Sequence, residues 1–228
     1  MISQPEATIF LAEQRGHSEV DWFRSFHIFN FGEYHVEHRQ PFGTLQVFND
    51  DTLASQKSLS MNVDDNMDVI LLPLVGAIEY ENSLGEAGIL EAGQVQILKS
   101  SPSLTYKLTN PYSDDLINFL QIWIKNEGES SSPQLNNFTF DFKKKNQLSP
   151  LFSTQAHGWL GRYDGRAEDT YPLLDETHGV FVFVIEGAFE VQNRLLHPRD
   201  GLALSQVSEV EFEALSNNAI ILIIELPM

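Results

Sequence analysis

The chain contains 228 residues and carries a formal net charge of −18, from 14 lysines and arginines against 32 aspartates and glutamates. It has no cysteine, which excludes disulfides, thiolate metal sites and a cysteine nucleophile. The acidic balance opposes direct nucleic-acid binding, because phosphate contacts depend on lysine and arginine. Residues 1–13 lack a basic start followed by a sustained apolar run, and no stretch approaches the roughly 18 apolar residues of a membrane-spanning helix. We therefore expect a cytoplasmic protein with no membrane partner.

Short strand-like segments dominate the sequence, and no long segment has the 3.6-residue periodicity of a helix. Each segment is bounded by Gly, Asn, Asp, Ser or Pro, a pattern typical of an all-β sandwich or barrel. In chain order the segments are 26–31, 44–48, 59–63, 69–78, 94–98, 104–108, 117–124, 180–185, 188–192, 201–205, 210–214 and 219–226.

A unit of strand, glycine, strand, turn and strand occurs twice. In the first half a strand ends at Gly76 and Ala-Ile-Glu-Tyr follows; in the second a strand ends at Gly187 and Ala-Phe-Glu-Val follows. Repetition of one supersecondary unit favours two similar domains. Residues 127–133 read Glu-Gly-Glu-Ser-Ser-Ser-Pro, a polar and strand-breaking composition that predicts a linker. We predict an N-terminal domain over 1–130 and a C-terminal domain over 131–228.

Five segments together carry a family resemblance. They are Phe26-His-Ile-Phe-Asn-Phe-Gly-Glu-Tyr, Phe42-Gly-Thr-Leu-Gln-Val-Phe-Asn-Asp-Asp, Glu79-Tyr-Glu-Asn-Ser-Leu-Gly, Asn118-Phe-Leu-Gln-Ile-Trp-Ile and Asp200-Gly-Leu-Ala-Leu. Their order and spacing resemble the bacterial pirin-like proteins of the cupin superfamily, over about residues 20–226. The resemblance implies a bicupin with two antiparallel β-barrels of the double-stranded β-helix, or jelly-roll, type. In that family the N-terminal barrel normally holds one iron or similar metal. Some members resemble quercetin 2,3-dioxygenases, and the eukaryotic pirins are linked to regulation of transcription.

The family's metal is held by a His-x-His pair and a His-x-Glu pair. By the resemblance, the two histidines of the first pair fall on Asn62 and Asp64, and the second pair falls on Tyr106 and Leu108. Residues two apart on a strand face one side, so we expect these four side chains to share one inward face. Only Asp64 is a good metal donor, so we expect no metal and no other cofactor. The four residues then form either a reshaped polar pocket or an ordinary filled interior, and both alternatives stay open.

No other catalytic or metal-binding pattern stands out. His35 and His38 are close in sequence but face opposite sides of an extended chain, which favours a solvated loop. His178 has no partner two residues away, so we expect no metal site in the second barrel. The adjacent acids at 50–51 and 64–65 are interpreted as turn residues.

Three functional hypotheses follow. The favoured one is a pirin-like protein that lacks the metal ligands and acts as a non-metal binding or regulatory protein, with a small organic ligand in the N-terminal barrel. The second is an enzyme, either dioxygenase-like or using Asp64 and Tyr106 as acid–base groups. The third is a structural or protein-interaction module with packed barrels, whose protein partner the sequence does not identify.

Overall fold

A computed structural model describes residues 6–100, 104–126, 135–141 and 143–228. The described residues are almost entirely β-strand, and their one helix is a 3₁₀ turn at Ala12–Gln14. The predicted all-β class is therefore confirmed. The predicted linker at 127–133 lies outside the described residues. Within the described ranges, no helix has the length and apolar character needed to cross a bilayer.

The N-terminal unit comprises Gly16–Pro41 and the described residues of Leu45–Thr139. Its strands are β2 (Gly16–Val20), β3 (Phe23–His27), β4 (Leu45–Leu53), β5 (Ser58–Val63), β6 (Met67–Val75), β7 (Ala77–Asn82), β8 (Ala87–Glu91), β9 (Gln94–Ser100), β10 (Leu104–Thr109), β11 (Ile117–Lys125) and β12 (Leu135–Thr139). They form two antiparallel sheets, with strand orders β12-β9-β6-β11-β4-β3-β2 and β5-β10-β7-β8.

The C-terminal unit comprises Phe42–Thr44 and the described residues of Met1–Arg15 and Phe140–Met228. Its strands are β1 (Glu6–Phe10), β13 (Leu148–Ser153), β14 (His157–Tyr163), β15 (Glu168–Pro172), β16 (Gly179–Glu186), β17 (Phe189–Val191), β18 (Arg194–Leu196), β19 (Gly201–Ser205), β20 (Glu209–Ala214) and β21 (Ala219–Leu226). They form two sheets, with the orders β1-β19-β16-β21-β14-β13 and β15-β20-β17-β18.

Each unit is a pair of facing sheets rather than one closed barrel, an arrangement consistent with the cupin jelly roll. In the N-terminal unit the two sheets bury an apolar cluster between them, to which the wider sheet contributes Leu71 and Phe119 and the narrower one Tyr80 and Leu108. We call the side of each sheet that faces this cluster the inward face. A similar cluster, including Tyr163 and Phe189, fills the C-terminal unit.

The two units are not two consecutive stretches of the chain. Strand β1 pairs along its length with β19, from Glu6 opposite Ser205 to Phe10 opposite Gly201. Strand β12 pairs with β9 of the N-terminal unit. Residues 6–15 therefore belong to the C-terminal unit and residues 135–139 to the N-terminal unit. Both assignments differ from the predicted boundary between 130 and 131. Pairing explains the exchange, because each strand satisfies backbone groups that would otherwise form an open sheet edge.

The junction after β1 is also fixed by a side chain. The backbone N–H of Ala12 donates to Oδ1 of the buried Asp200 at 2.7 Å, and the N–H of His197 donates to Oδ2 at 2.8 Å. One carboxylate thus joins the N-terminal segment to the turn before β19.

We predict that removal of residues 1–11 destabilises the C-terminal unit, because it leaves β19 as an open edge. The melting temperature should fall, with each kcal/mol lost costing roughly 4–8 °C in a unit of this size, and aggregation should rise. Calorimetry and light scattering measure the two effects. Glu6→Gln, an exposed change on the same strand, is the control, and equal melting temperatures for truncated and full-length chains would contradict the prediction.

Candidate functional site

The structure separates the four residues that the resemblance assigns to the family's ligand positions into two groups. Tyr106 and Leu108 point inward and are 2% and 0% exposed, whereas Asn62 and Asp64 are exposed. Directly opposed residues of an antiparallel pair share a face. Asn62 lies opposite the exposed Thr105, so it points outward.

The expectation of one shared inward face is therefore wrong. Strand β5 directs Met61 and Val63 inward, with Met61 opposite Tyr106. The two-residue alternation is interrupted by the bend at residues 64–66, between β5 and β6. Sequence spacing across such a bend does not preserve facing.

Tyr106 spans the interior between the two sheets. Its hydroxyl donates to Oε1 of Gln121 at 2.6 Å and accepts from Nε1 of Trp123 at 3.2 Å. Burial raises the pKa of the Tyr106 phenol far above its ordinary value, so the group stays neutral and acts as a donor. The alternation predicted for β10 is confirmed, since Leu104, Tyr106 and Leu108 are buried between exposed neighbours.

These residues do not fit the metal that the family resemblance implies. A neutral phenol already committed to Gln121 is a poor ligand, and Leu108 has no donor atom. The outward Asn62 and Asp64 do not converge with them. Among the described residues, no group of three or more His, Cys, Asp or Glu side chains is placed to hold a metal ion. A transition-metal site needs three or four convergent donors.

The hydrogen bonds from Tyr106 continue along the inward face of the wider sheet. Gln121 donates from Nε2 to Oδ2 of Asp51, and the Ser25 hydroxyl also hydrogen-bonds to this carboxyl. Trp123, Tyr106, Gln121, Asp51 and Ser25 form what we call the buried polar chain. Burial raises the pKa of Asp51 to about 7, opposed by the hydrogen bonds from Ser25 and Gln121.

A buried histidine adjoins the buried polar chain. His27 Nδ1 lies 2.9 Å from Oδ1 of Asn49 and 3.3 Å from Oγ of Ser25, while Nε2 lies 2.9 Å from Oγ of Ser18. With the proton on Nδ1, the ring donates to Asn49 and accepts from Ser18. The ring is thereby held in one orientation on the inward face.

Several polar atoms on this inward face have no hydrogen-bond partner. They are Asn49 Nδ2, Asp51 Oδ1 and both amide atoms of Gln96, and the three side chains are at most 1% exposed. Register places them inward, because Asn49 lies opposite Gln121 and Gln96 lies opposite Leu71. Buried polar atoms in native proteins nearly always find a partner in protein or water.

The sequence contained a signal for this site that the turn interpretation missed. Asp50 and Asp51 lie in the middle of β4, so their assignment to a turn was wrong, whereas Asp64 and Asp65 do lie at a bend. Along β4, Asn49 and Asp51 alternate with outward residues and share a face with Val47 and Leu53 of the apolar cluster.

A second buried carboxylate organises one end of the C-terminal unit. Glu225 is fully buried and accepts hydrogen bonds from Tyr171 Oη at 2.5 Å and from the backbone N–H groups of Leu174 and Asp175. His178 Nδ1 lies 3.0 Å from its Oε1. His178 thus has a carboxylate partner distant in sequence, and Glu225 fixes the loop at 173–178.

Comparison with known proteins identifies the family. A family model described as Pirin matches residues 10–124, and one described as the quercetinase C-terminal cupin domain matches residues 141–226. The chain belongs to the pirin family. The predicted resemblance is confirmed over most of the sequence.

Among pirin-family relatives, a putative quercetin 2,3-dioxygenase of Pasteurella multocida is 26% identical over 226 residues, covering 92% of this chain and 96% of the relative. The quercetin 2,3-dioxygenase of Escherichia coli K12 is 25% identical, with 92% and 95% covered. The crystal structure of YhhW from Escherichia coli superposes with a TM-score of 0.87 at 21% identity, covering 97% of this chain and 98% of that one. A second structure, bacterial pirin YhhW in complex with nickel(II), also has a TM-score of 0.87, at 23% identity, with 97% and 99% covered.

We predict that Asp51→Asn changes how stability depends on pH. The Asp51 pKa rises from 3.8 to about 7 on folding, so the folded state binds more protons between about pH 4 and 7. The carboxyl therefore makes the native chain less stable as pH rises through this window. Relative to the variant, the native chain should lose about 3–4 kcal/mol of unfolding free energy from pH 4 to pH 7. Urea titrations at several pH values test this, and a pH-independent difference would contradict it; the exposed change Asp64→Asn is the control.

We also predict that Glu225→Gln loosens the loop at 173–178. The amide replaces an anionic acceptor by a group that presents N–H to N–H donors, at a cost of about 1–3 kcal/mol. Limited proteolysis should cut the loop faster in the variant, whereas Glu176→Gln, an exposed change in the same loop, should leave the rate as in the native chain. Equal cleavage rates for both variants would show that Glu225 does not hold the loop.

Proposed function

We propose that this chain is a pirin-family bicupin that has lost the family's metal ligands and binds a small organic molecule inside its N-terminal unit. The binding site is the inward face of the wider sheet, beside the buried polar chain. It requires no metal ion, and the protein is not a metal-dependent dioxygenase.

The observation that carries the proposal is the set of unpartnered polar atoms on Asn49, Asp51 and Gln96. A buried polar atom left unsatisfied costs about 1–3 kcal/mol. Three such side chains on one face are a costly arrangement for an interior whose only role is packing. A bound molecule with its own donors and acceptors would satisfy them.

The residues at the family's ligand positions support the metal-free part of the proposal. Tyr106 is committed to Gln121 and Trp123, and Leu108 belongs to the apolar cluster. The same packing favours a second candidate function, in which the interior is simply filled and the protein serves as an interaction module.

We predict that the purified protein carries no stoichiometric iron, nickel, copper, manganese or zinc and consumes no oxygen with quercetin. Elemental analysis and an oxygen electrode test these points. About one transition metal per chain, together with oxygen consumption, would overturn the metal-free proposal in favour of the enzyme.

Ligand binding is tested with a library of small polar fragments, followed by amide chemical shifts in two-dimensional NMR. We expect binders whose shifts map to β4, β9 and β11 and whose binding is lost in Asn49→Leu and Gln96→Leu. The exposed change Asn62→Ala is the matched control and should bind normally. If no fragment shifts these strands, the packed interaction module replaces the proposal.

A further inference from the structure

Strand β8 forms one edge of the narrower sheet in the N-terminal unit, where it pairs with β7. In an antiparallel pair, the backbone groups of successive residues point alternately toward the partner strand and away from it. The N–H of Asn82 donates to the carbonyl of Glu86, and the N–H of Ala92 donates to the carbonyl of Gly76. These bonds fix the alternation at both ends of the β7–β8 hairpin. The odd-numbered residues of β8 are therefore the ones whose backbone groups point away from β7.

The free part of this edge is short. Ala87 and Ile89 turn their N–H and C=O groups toward the side of β8 that no strand of the described residues pairs with. The next outward N–H, that of Glu91, already donates to Oε1 of Gln94 at 2.8 Å. An unpaired edge is a template for an additional strand, and natural proteins commonly block it with a lysine, a proline or a bulge. Residues 87–90 read Ala-Gly-Ile-Leu, and their pairing with β7 has no bulge.

The outward face beside this edge has room for the side chains of an added strand. Ile89 is 58% exposed, and Ala87 is exposed as well. A surface cavity of about 510 Å³ lies on the same face, and its lining includes Glu79, Glu81, Ala87, Ile89, Lys107 and Thr109. The cavity is at the surface, so a partner reaches it without any movement of the packed interior.

The charges around the edge favour a basic partner. Glu79 and Glu81 flank the edge on β7, Glu91 ends β8, and all three side chains are exposed. Lys107 offsets one of these carboxylates, with its Nζ 2.9 Å from Oε1 of Glu81. A second copy of the chain fits poorly, because two chains of net charge −18 repel each other and would bring the carboxylates of two β8 strands together.

Register gives the residue types that the partner needs, because alternate side chains of the added strand share the outward face. A valine or isoleucine opposite Ile89 forms an aliphatic cross-strand pair. Two positions away on one side, a lysine or arginine lies opposite Glu91 and forms an opposite-charge pair. Two positions away on the other side, a long basic side chain lies over the small Ala87 and extends toward Glu81, which is opposite Ala87 on β7.

We propose that the β8 edge binds an extended basic segment of another protein as an additional antiparallel strand. The segment has the pattern basic-x-aliphatic-x-basic, and Ala87 and Ile89 each exchange backbone hydrogen bonds with the residue opposite them. This docking surface lies on the outward face of the narrower sheet. It is separate from the ligand site proposed inside the unit, so failure of one proposal leaves the other standing.

Three peptides test the charge and the backbone requirement separately. The first is acetyl-Thr-Lys-Thr-Val-Thr-Lys-Thr-amide, the second has glutamate in place of both lysines, and the third is the first with an N-methylated valine. In NMR titrations of the full-length protein, the first should shift the amides of Ala87 and Ile89 and slow their hydrogen exchange. The glutamate peptide should not bind. The methylated peptide should bind about tenfold more weakly or worse, because it lacks the N–H that donates to the carbonyl of Ile89.

Two variants with the same net charge test the location. Glu91→Lys should weaken binding of the lysine peptide about fivefold or more, because a lysine of the peptide then lies opposite a lysine. Glu19→Lys is the matched control, since Glu19 is an exposed carboxylate on β2, an edge strand of the wider sheet. The control should bind the peptide as the native chain does.

Several results would overturn the inference. Equal affinities for the lysine peptide and its methylated form would show charge attraction without strand pairing. Equal weakening by Glu91→Lys and Glu19→Lys, or amide shifts confined to another strand, would place the contact elsewhere. Absence of any binding of the lysine peptide would show that the β8 edge does not accept such a strand.

Discussion

The hydrogen bond from the Tyr106 hydroxyl to Gln121 joins the two sheets of the N-terminal unit across their interior. It places a neutral ring at a position where the family resemblance implies a metal-binding histidine. The bond also orients the Gln121 amide so that its nitrogen points to Asp51. With Oε1 accepting from Tyr106, Nε2 of Gln121 is left to donate to Asp51, so this one contact sets the direction of the hydrogen bonds along the buried polar chain.

Much of the fold was predictable from short, regular patterns. Strand β10 shows why: alternating apolar and polar residues over six positions fix which side chains are inward. The repeated unit around Gly76 and Gly187 predicted two similar domains, and both glycines adopt a positive φ that side chains rarely accept. These features are local, so one sequence is enough to read them.

The facing of the site residues was predictable only in part, because it depends on geometry between strands. Tyr106 and Leu108 were correctly placed inward from alternation within β10. Asn62 was misplaced because the chain bends between β5 and β6, and alternation does not carry across that bend. The Glu225–His178 pair joins residues 47 positions apart and has no signature in sequence spacing. Asp51 looked like a turn residue because charged residues are rare in central strands, and only its hydrogen bond from Gln121 and its position opposite Ser25 account for its burial.

The pairing of β1 with β19 has a consequence for synthesis on the ribosome. Glu6 and Ser205 are opposite each other, so β1 is synthesised long before its partner strand β19. The N-terminal unit ends at residue 139 and can fold earlier. At roughly 5–20 residues per second, the remaining segment takes several more seconds to be translated. Throughout that interval β1 has no partner strand, which makes it a natural target for a chaperone or for the same strand of a neighbouring nascent chain.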